Sequence, residues 1–116
     1  MKEKASKIID NACEVWGVSK DEVLKDCRKQ RLVLARATIS YTIYHTLHLS
    51  LSDTGRLLNR SHASIIHHLD VYENEYKYNK EFRELANRIK EITLDIKNKL
   101  QQELEQEYVE IMGYGV

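Results

Sequence analysis

The chain from Arg60 to His67 carries a set of side chains suited to contact with a polyanion. Arg60 supplies a permanent positive charge, and the next residue, Ser61, is of the type that begins helices because its hydroxyl accepts a hydrogen bond from the first turn. A helix starting there would present Ala63, Ser64 and His67 outward, with His68 at the margin of that face. The free N–H groups at its start favour an anion. A small apolar group, a hydroxyl and an imidazole suit the base edges in the major groove of DNA. We therefore expect this helix to read duplex DNA.

The same helix has an apolar side, which is predicted to be buried. Ile65, Ile66, Leu69 and Tyr72 recur at helical spacing and are predicted to point into the protein. His62 lies nearer that buried side on a helical wheel, although a side chain in the first turn can overhang the helix end. Contact with DNA and a buried position both stay open for it. An ordinary solvated helix face is the alternative interpretation of the outward residues.

Positive charge is concentrated in the middle of the chain. The formal net charge is zero, which argues against a nonspecific polycation. Between residues 25 and 69, however, seven lysines and arginines stand against Asp26 and Asp53, and all five histidines lie in the same stretch. From residue 70 onward acidic residues outnumber basic ones, so we expect one basic face on the protein. The predicted basic segment of that face consists of Arg28, Lys29, Arg31 and Arg36.

The elements that position these side chains are all predicted to be helices. The chain has no proline and only four glycines, and its apolar residues recur three and four apart almost throughout. This pattern predicts an all-α protein, a compact helical bundle with helices at about residues 4–15, 20–26, 32–48, 51–59, 62–76 and 80–111. The helix over 32–48 carries the apolar line expected of a central packing helix. The two helices within 51–72 are predicted to form a helix-turn-helix.

Several predicted helix ends have recognisable capping residues. Gly17 is expected to end the first helix, because glycine tolerates the left-handed conformation that commonly follows a helix. Ser19 and Glu22 have the spacing of a capping box, in which each side chain bonds to the backbone N–H of the other residue. Ser50 and Ser61 are expected to cap the two helices of the helix-turn-helix.

The last predicted helix is longer than one small core requires. At about 1.5 Å per residue its apolar stripe would reach roughly 40 Å. We expect residues 1–79 to form the helix-turn-helix domain and residues 80–116 to form a long C-terminal helix with a short tail. The early spacing of the stripe is that of a heptad seam, so packing on its own domain and homodimerisation with a second copy both remain open. The stripe consists of Phe82, Leu85, Ile89, Ile92, Ile96, Leu100, Leu104, Tyr108 and Ile111.

Two stretches of the chain resemble the C-terminal duplex-binding domain of the bacterial chromosomal replication initiator DnaA, which belongs to the TrpR-like helix-turn-helix superfamily. The first stretch reads Ser-Leu-x-Asp-x-Gly from residue 50, and the second reads Arg-x-His-x-Ser-Ile-Ile-His from residue 60. The family has Ser-Leu-Pro-Glu-Ile-Gly and Gly-Arg-Asp-His-Thr-Thr-Val-Leu-His at these places. The resemblance extends back through the basic segment and through Val-Trp-Gly-Val from residue 15, covering roughly residues 8–91. It implies sequence-specific binding of double-stranded DNA in replication or in regulation of a bacterial or mobile-element locus.

The resemblance also implies roles for individual residues. The family's base- and phosphate-contacting positions are taken here by Arg60, His62, Ala63 and Ser64. Its basic loop, from which an arginine enters the adjacent minor groove, is matched by Arg28 and Arg31, and a nearby arginine by Arg36. Ser61 replaces an aspartate, Ala63 replaces a threonine, and one residue of a glycine pair before Arg60 is missing. Ser61 keeps the capping role without the carboxylate that accepts from a cytosine amino group, so we expect the same docking and a different recognised sequence.

Catalytic, metal and nucleotide chemistry find little support in the sequence. The histidine pairs at positions 45 and 48 and at 67 and 68 lack cysteine or carboxylate partners at zinc spacing, so we expect no metal and no cofactor. No nucleophile lies in a recognisable elbow and no Gly-x4-Gly-Lys-Ser/Thr loop occurs, so we expect neither an enzyme nor a nucleotide-binding domain. Cys13 and Cys27 are interpreted as small buried hydrophobic residues with unpaired thiols.

The location and the competing functions follow from the same features. No apolar run approaches the roughly 18 residues of a membrane span and residues 1–4 lack a secretion signal, so we expect no membrane partner and a cytoplasmic, nucleoid-associated protein. The main alternative function is a helical adaptor or coiled-coil dimerisation protein that has lost DNA binding, and RNA binding is a third option. The salt dependence of binding distinguishes DNA binding from the adaptor function. Affinity for DNA falls steeply with salt because phosphates are neutralised on binding, whereas the affinity of an apolar coiled-coil interface does not.

Overall fold

The polypeptide folds as a bundle of helices, described by a computed structural model for the backbone of residues 2–112 and the side chains of residues 2–96 and 98. Every regular element in that part of the chain is a helix, which confirms the all-α prediction. The predicted boundaries agree with the structure to within about two residues, the usual uncertainty of helix ends. The helices are α1 (Lys2–Trp16), α2 (Lys20–Leu24), α3 (Gln30–Thr46), α4 (Leu51–Leu58), α5 (His62–Tyr78) and α6 (Lys80–Met112).

The predicted caps at the end of α1 and at the start of α2 are confirmed. Gly17 has a φ of +69°, and the N–H of Val18 reaches back to donate to the Cys13 carbonyl at 3.0 Å. The hydroxyl of Ser19 accepts from the Glu22 N–H at 3.1 Å, and the Glu22 carboxylate accepts from the Ser19 N–H at 3.2 Å. These reciprocal bonds start α2 directly after the turn that follows α1.

The central helix α3 contacts each of the other five helices. The predicted apolar line is buried through Leu32, Ala35, Ile39 and Ile43. The other flanks of α3 are closed by small and hydroxyl-bearing residues, which allow neighbouring helices to approach closely. Among these residues Thr38 is fully buried, and its hydroxyl accepts a 2.9 Å hydrogen bond from the indole N–H of Trp16.

Aromatic packing joins the start of α6 to the rest of the core. Phe82, which is 1% exposed, lies 5.8 Å from the Trp16 ring of α1 and 5.5 Å from the Tyr72 ring of α5, measured between ring centres. Tyr72 in turn stacks on Tyr41 of α3 at 3.7 Å. Ala86 and Ile89 are also buried, so the first turns of α6 belong to the same core as α1–α5.

The apolar residues that follow Ile89 on α6 are less deeply buried. Leu94 is 58% exposed, and the neighbouring Ile92 and Ile96 are half-buried. The predicted seam positions Leu100, Leu104, Tyr108 and Ile111 lie outside the residues whose side chains are described. Across the described residues, no helix combines the length and the apolar character that crossing a membrane requires.

The two cysteines differ in their surroundings. Cys13 is buried on α1, as predicted, and burial raises the pKa of its thiol. Cys27 is only half-buried, in the segment between α2 and α3, so its interpretation as a buried hydrophobic residue is right only in part. Both thiols are free.

Candidate nucleic-acid interface

Helices α4 and α5 form the predicted helix-turn-helix. The Ser50 hydroxyl caps α4 by accepting from the Asp53 N–H at 3.0 Å. The helix ends where Asn59 adopts a left-handed conformation with a φ of 56°, and the Arg60 N–H donates to the Gly55 carbonyl at 2.7 Å. The backbone of the turn lies so close to Gly55 that a Cβ at this position would collide with the Arg60 carbonyl oxygen. Glycine is therefore required at residue 55 for the second helix to leave the turn at this angle.

The first turn of α5 is capped as the sequence predicts. The Ser61 hydroxyl accepts from the Ser64 N–H at 3.2 Å and lies 3.1 Å from the Ser64 hydroxyl. Serine thus replaces an acidic cap without loss of the capping bond. The remaining N–H groups of the first turn point out of the helix end, where the helix dipole favours an anion.

The two faces of α5 are only partly as predicted. His62, Ala63 and His67 are exposed, and Ser64 is half-buried. The prediction that Ile66 points into the protein is wrong, because Ile66 is 44% exposed. Residues of a helix are spaced by about 100°, so Ile65 and Ile66 cannot share the centre of one stripe. The buried stripe consists of Ile65, His68 and Tyr72.

A groove brings the basic segment and the start of α5 together on one side of the molecule. Its volume is about 750 Å³. One wall comes from the α2–α3 segment and from α3, and the other from the turn before α5 and its outward face. Asp26 is the acidic residue in this lining, a contribution that the charge pattern did not indicate. The predicted site residues that line the groove are Arg28, Arg36, Arg60, Ser61, Ala63, Ser64 and His67.

Arg36 contributes to the groove lining but is almost entirely buried. It is 5% exposed, and its guanidinium donates to the backbone carbonyls of Val23 at 2.8 Å, Cys27 at 2.5 Å, Glu22 at 3.0 Å and Lys25 at 2.7 Å. These oxygens belong to the C-terminal end of α2 and the segment after it, where carbonyls lack helical partners. Their partial negative charge favours a cation there. Arg36 therefore holds the segment that carries Arg28.

Arg60 reaches the same carbonyls from the opposite wall. One terminal nitrogen of its guanidinium donates to Val23 at 3.3 Å and also to Lys25. The bonds tie the turn of the helix-turn-helix to the end of α2. The two guanidiniums thus converge on the carbonyls of Val23 and Lys25. Burial and, to a smaller extent, the nearby charge of Arg60 lower the pKa of Arg36.

His68 forms a neutral part of the groove floor. It is 7% exposed, and its Nδ1 lies 2.8 Å from the hydroxyl of the fully buried Ser40. Burial, together with the smaller effects of the neighbouring His67, Arg60 and Arg36, lowers the pKa of His68 to about 4. The imidazole is consequently uncharged at neutral pH. The inward position follows from the 65, 68 and 72 spacing, whereas the polarity of histidine favoured the margin of the outward face.

The other members of the basic segment are exposed, and of these Arg28 lines the groove whereas Lys29 and Arg31 do not. Lys29 is the residue that immediately precedes α3, and Arg28 lies one residue earlier in the chain. Arg31 lies next to Trp16, with its Nε donating to the Trp16 carbonyl at 2.7 Å and its guanidinium 5.5 Å from the indole centre. This contact fixes the direction of Arg31 while leaving most of the residue exposed.

The residues that we considered for metal binding do not form a ligand cluster in the part of the chain that is described. No group of three or more histidine, cysteine or carboxylate side chains lies close enough there to hold an ion. His45 instead packs on Tyr41, with ring centres 4.3 Å apart.

Comparison with known proteins gives one consistent family. The model of a family described as the bacterial dnaA protein helix-turn-helix matches residues 5–71. Relatives named chromosomal replication initiator protein DnaA are 31% identical over 67 residues in Pseudothermotoga lettingae, covering 58% of this chain, and 34% identical over 65 residues in Ureaplasma parvum, covering 55%. The matched stretch amounts to only 15% and 14% of these two relatives. A third relative, from Mycoplasma genitalium, is 30% identical over 51% of this chain and is matched over 14% of its own length.

Proposed function

The chain belongs to the bacterial DnaA helix-turn-helix family, a family of DNA-binding domains, and from this premise we propose that it recognises specific sequences in double-stranded DNA through the groove and the outward face of α5. The observation that carries the proposal is that Arg28, Arg60 and the capped start of α5 face one groove. An arrangement of cations beside the free N–H groups of a helix start suits a phosphate backbone. The exposed first turns of α5 then lie where the base edges would be.

The residues of the site divide into two roles under this proposal. Exposed Arg28, Lys29 and Arg31 neutralise phosphates or enter the minor groove beside the site, and they supply most of the affinity. His62, Ala63, Ser64 and His67 sample the base edges and supply sequence preference.

The buried arginine has a different task from the exposed ones. Arg36 holds the α2–α3 segment in place and makes no DNA contact in this scheme, because four backbone carbonyls surround its guanidinium. Arg60 combines both tasks, since the hydrogen bonds found among the described residues use one of its terminal nitrogens. Its other N–H groups face the groove and a phosphate.

A titration with an exposed cation removed tests this assignment. Arg28→Ala should weaken binding of the full chain to every duplex and lower the slope of log affinity against log salt by about 1, the value for one lost phosphate contact. Lys90→Ala is the matched control, because Lys90 is exposed on α6 beside Tyr41 and His45. These two residues lie about 8 Å and about 13 Å along α3 from Arg36, and none of the three lines the groove. Equal slopes for the wild type and both variants would contradict the proposal.

The cellular role is a broader part of the same proposal. Because the relatives carry the name of a chromosomal replication initiator, we assign this protein to replication or regulation of a bacterial or mobile-element locus, at the nucleoid. Mapping of cross-linked sites in the source cell should give a small number of loci that share one motif. An even distribution over the chromosome would contradict a locus-specific role.

Self-association is a second candidate function, favoured by the exposed Leu94 on the long helix α6. An apolar side chain at this position can be covered by the same helix of a second copy. We expect sedimentation velocity at tens of micromolar to show a dimer that Leu94→Lys converts to a monomer. A monomeric wild type would contradict the dimer without touching the DNA proposal.

A further inference from the structure

Ile66 presents a large apolar side chain on the helix that we assign to DNA. It is 44% exposed, and the other exposed large hydrophobic residues in the described part of the chain are Tyr78 and Leu94. An isolated exposed isoleucine needs no explanation on most protein surfaces. The exposure of Ile66 matters because this residue lies within the proposed DNA interface, so a role for it depends on the proposed function.

The helical wheel places Ile66 beside Ala63 on the outward face. Residues three apart are neighbours on a helix, about 4.5 Å apart along its axis. His67 lies on the other side of Ala63, where it lines the groove together with Ala63, whereas Ile66 is not part of that lining. The outward face therefore runs from the imidazole of His67 beside the basic groove, through the methyl group of Ala63, to the aliphatic side chain of Ile66.

The charge of the following turn limits how much of α5 can approach DNA. Asp70 and Glu73 are exposed in the third and fourth turns, and their carboxylates repel phosphates. No acidic residue lies in the first turn of α5. The first two turns are thus the part of the helix that fits a polyanion, and Ile66 lies in the second of these turns.

The chemistry of Ile66 selects one kind of base edge. A branched aliphatic side chain neither donates nor accepts hydrogen bonds, so a polar base atom covered by it would lose its water without gaining a partner. In the major groove the apolar group offered by the base pairs is the 5-methyl of thymine. We propose that Ile66 and the methyl group of Ala63 form an apolar subsite for a thymine methyl, so that a T·A pair at this point of the bound sequence is selected.

Removal of single methyl groups from the DNA and from the protein tests the subsite. The probe is the duplex that the wild-type chain enriches from a random library, with each thymine replaced in turn by uracil. The protein variants are Ile66→Ala and a control, Tyr78→Ala, which trims an exposed large side chain at the far end of α5. Alanine is favourable in helices, so neither change should disturb the helix. Circular dichroism verifies that both variants are folded, and fluorescence anisotropy gives the dissociation constants.

The wild type and Tyr78→Ala should lose about fourfold in affinity at one thymine when it becomes uracil, the equivalent of one buried methyl group. Ile66→Ala should show a clearly smaller loss at that position, because only the methyl group of Ala63 remains in the subsite, and it should keep the salt slope of the wild type. Uracil losses that are the same for the wild type and Ile66→Ala at every position would overturn the subsite and leave DNA binding intact. An enriched sequence without a required thymine would do the same. A wild type that binds no duplex would overturn both proposals.

Discussion

Acid should destabilise this protein through His68. Burial holds the pKa of His68 at about 4 in the folded chain, against an ordinary value of 6.5. As the pH falls below about 6.5, His68 therefore becomes protonated in the unfolded chain but stays neutral in the folded chain. The stabilisation by neutral His68 is complete above the unfolded pKa and is lost progressively down to about pH 4. Since one pKa unit corresponds to about 1.4 kcal/mol, the loss amounts to about 3 kcal/mol.

Urea denaturation followed by circular dichroism measures this loss. His68→Gln keeps a group that can bond to the Ser40 hydroxyl and does not titrate. The free energy of unfolding of the wild type should fall by about 3 kcal/mol more than that of His68→Gln between pH 7 and pH 4. Carboxylates titrate in both proteins and cancel in the difference. His62→Gln is the matched control, because it makes the same replacement at an exposed position of the same helix.

A parallel fall of the wild type and His68→Gln would refute this reasoning. It would mean that the imidazole is charged inside the folded protein or reaches solvent without cost. The groove floor would then carry a third positive charge beside Arg36 and Arg60, and the neutral-floor description would have to be abandoned.

Three further substitutions examine how the site is built. Ser61→Ala should lower the free energy of unfolding by about 1 kcal/mol because it removes the cap of α5, whereas Ser61→Asp should not; chemical denaturation compares them. Gly55→Ala should cost about 1–3 kcal/mol through the collision of its Cβ with the Arg60 carbonyl, and a raised melting temperature would contradict this contact. Arg36→Met should cost about 3 kcal/mol or more, because it removes four hydrogen bonds to backbone carbonyls. The folded fraction of Arg36→Met should keep the wild-type salt slope for DNA, and a slope lower by about 1 would show that Arg36 contacts phosphate directly.

Local signals in the sequence predicted most of the fold. The capping box at Ser19, the caps at Ser50 and Ser61 and the left-handed Gly17 depend on residues within one turn, and all four are present. The all-α class and the central position of α3 follow from apolar spacing, which is also local.

The parts of the site that sequence reasoning missed depend on contacts between distant segments. Arg36 is engaged by the carbonyls that follow α2, which nothing in the pattern around Arg36 indicates. Arg31 rests on Trp16 for a similar reason. His68 and Ile66 were misplaced for a different cause, because their polarity was weighed above their angular position on α5. Spacing of three and four from Ile65 and Tyr72 already places residue 68 inward and residue 66 outward.

The central claim is that the groove and the outward face of α5 form the DNA surface. Amide chemical-shift mapping of the isotope-labelled full chain during titration with the enriched duplex tests it most directly. The account predicts that the largest shifts fall on residues 28–31 and 61–67, with little change around Leu94 on α6. Shifts concentrated on α6, or spread evenly over the described helices, would contradict the account.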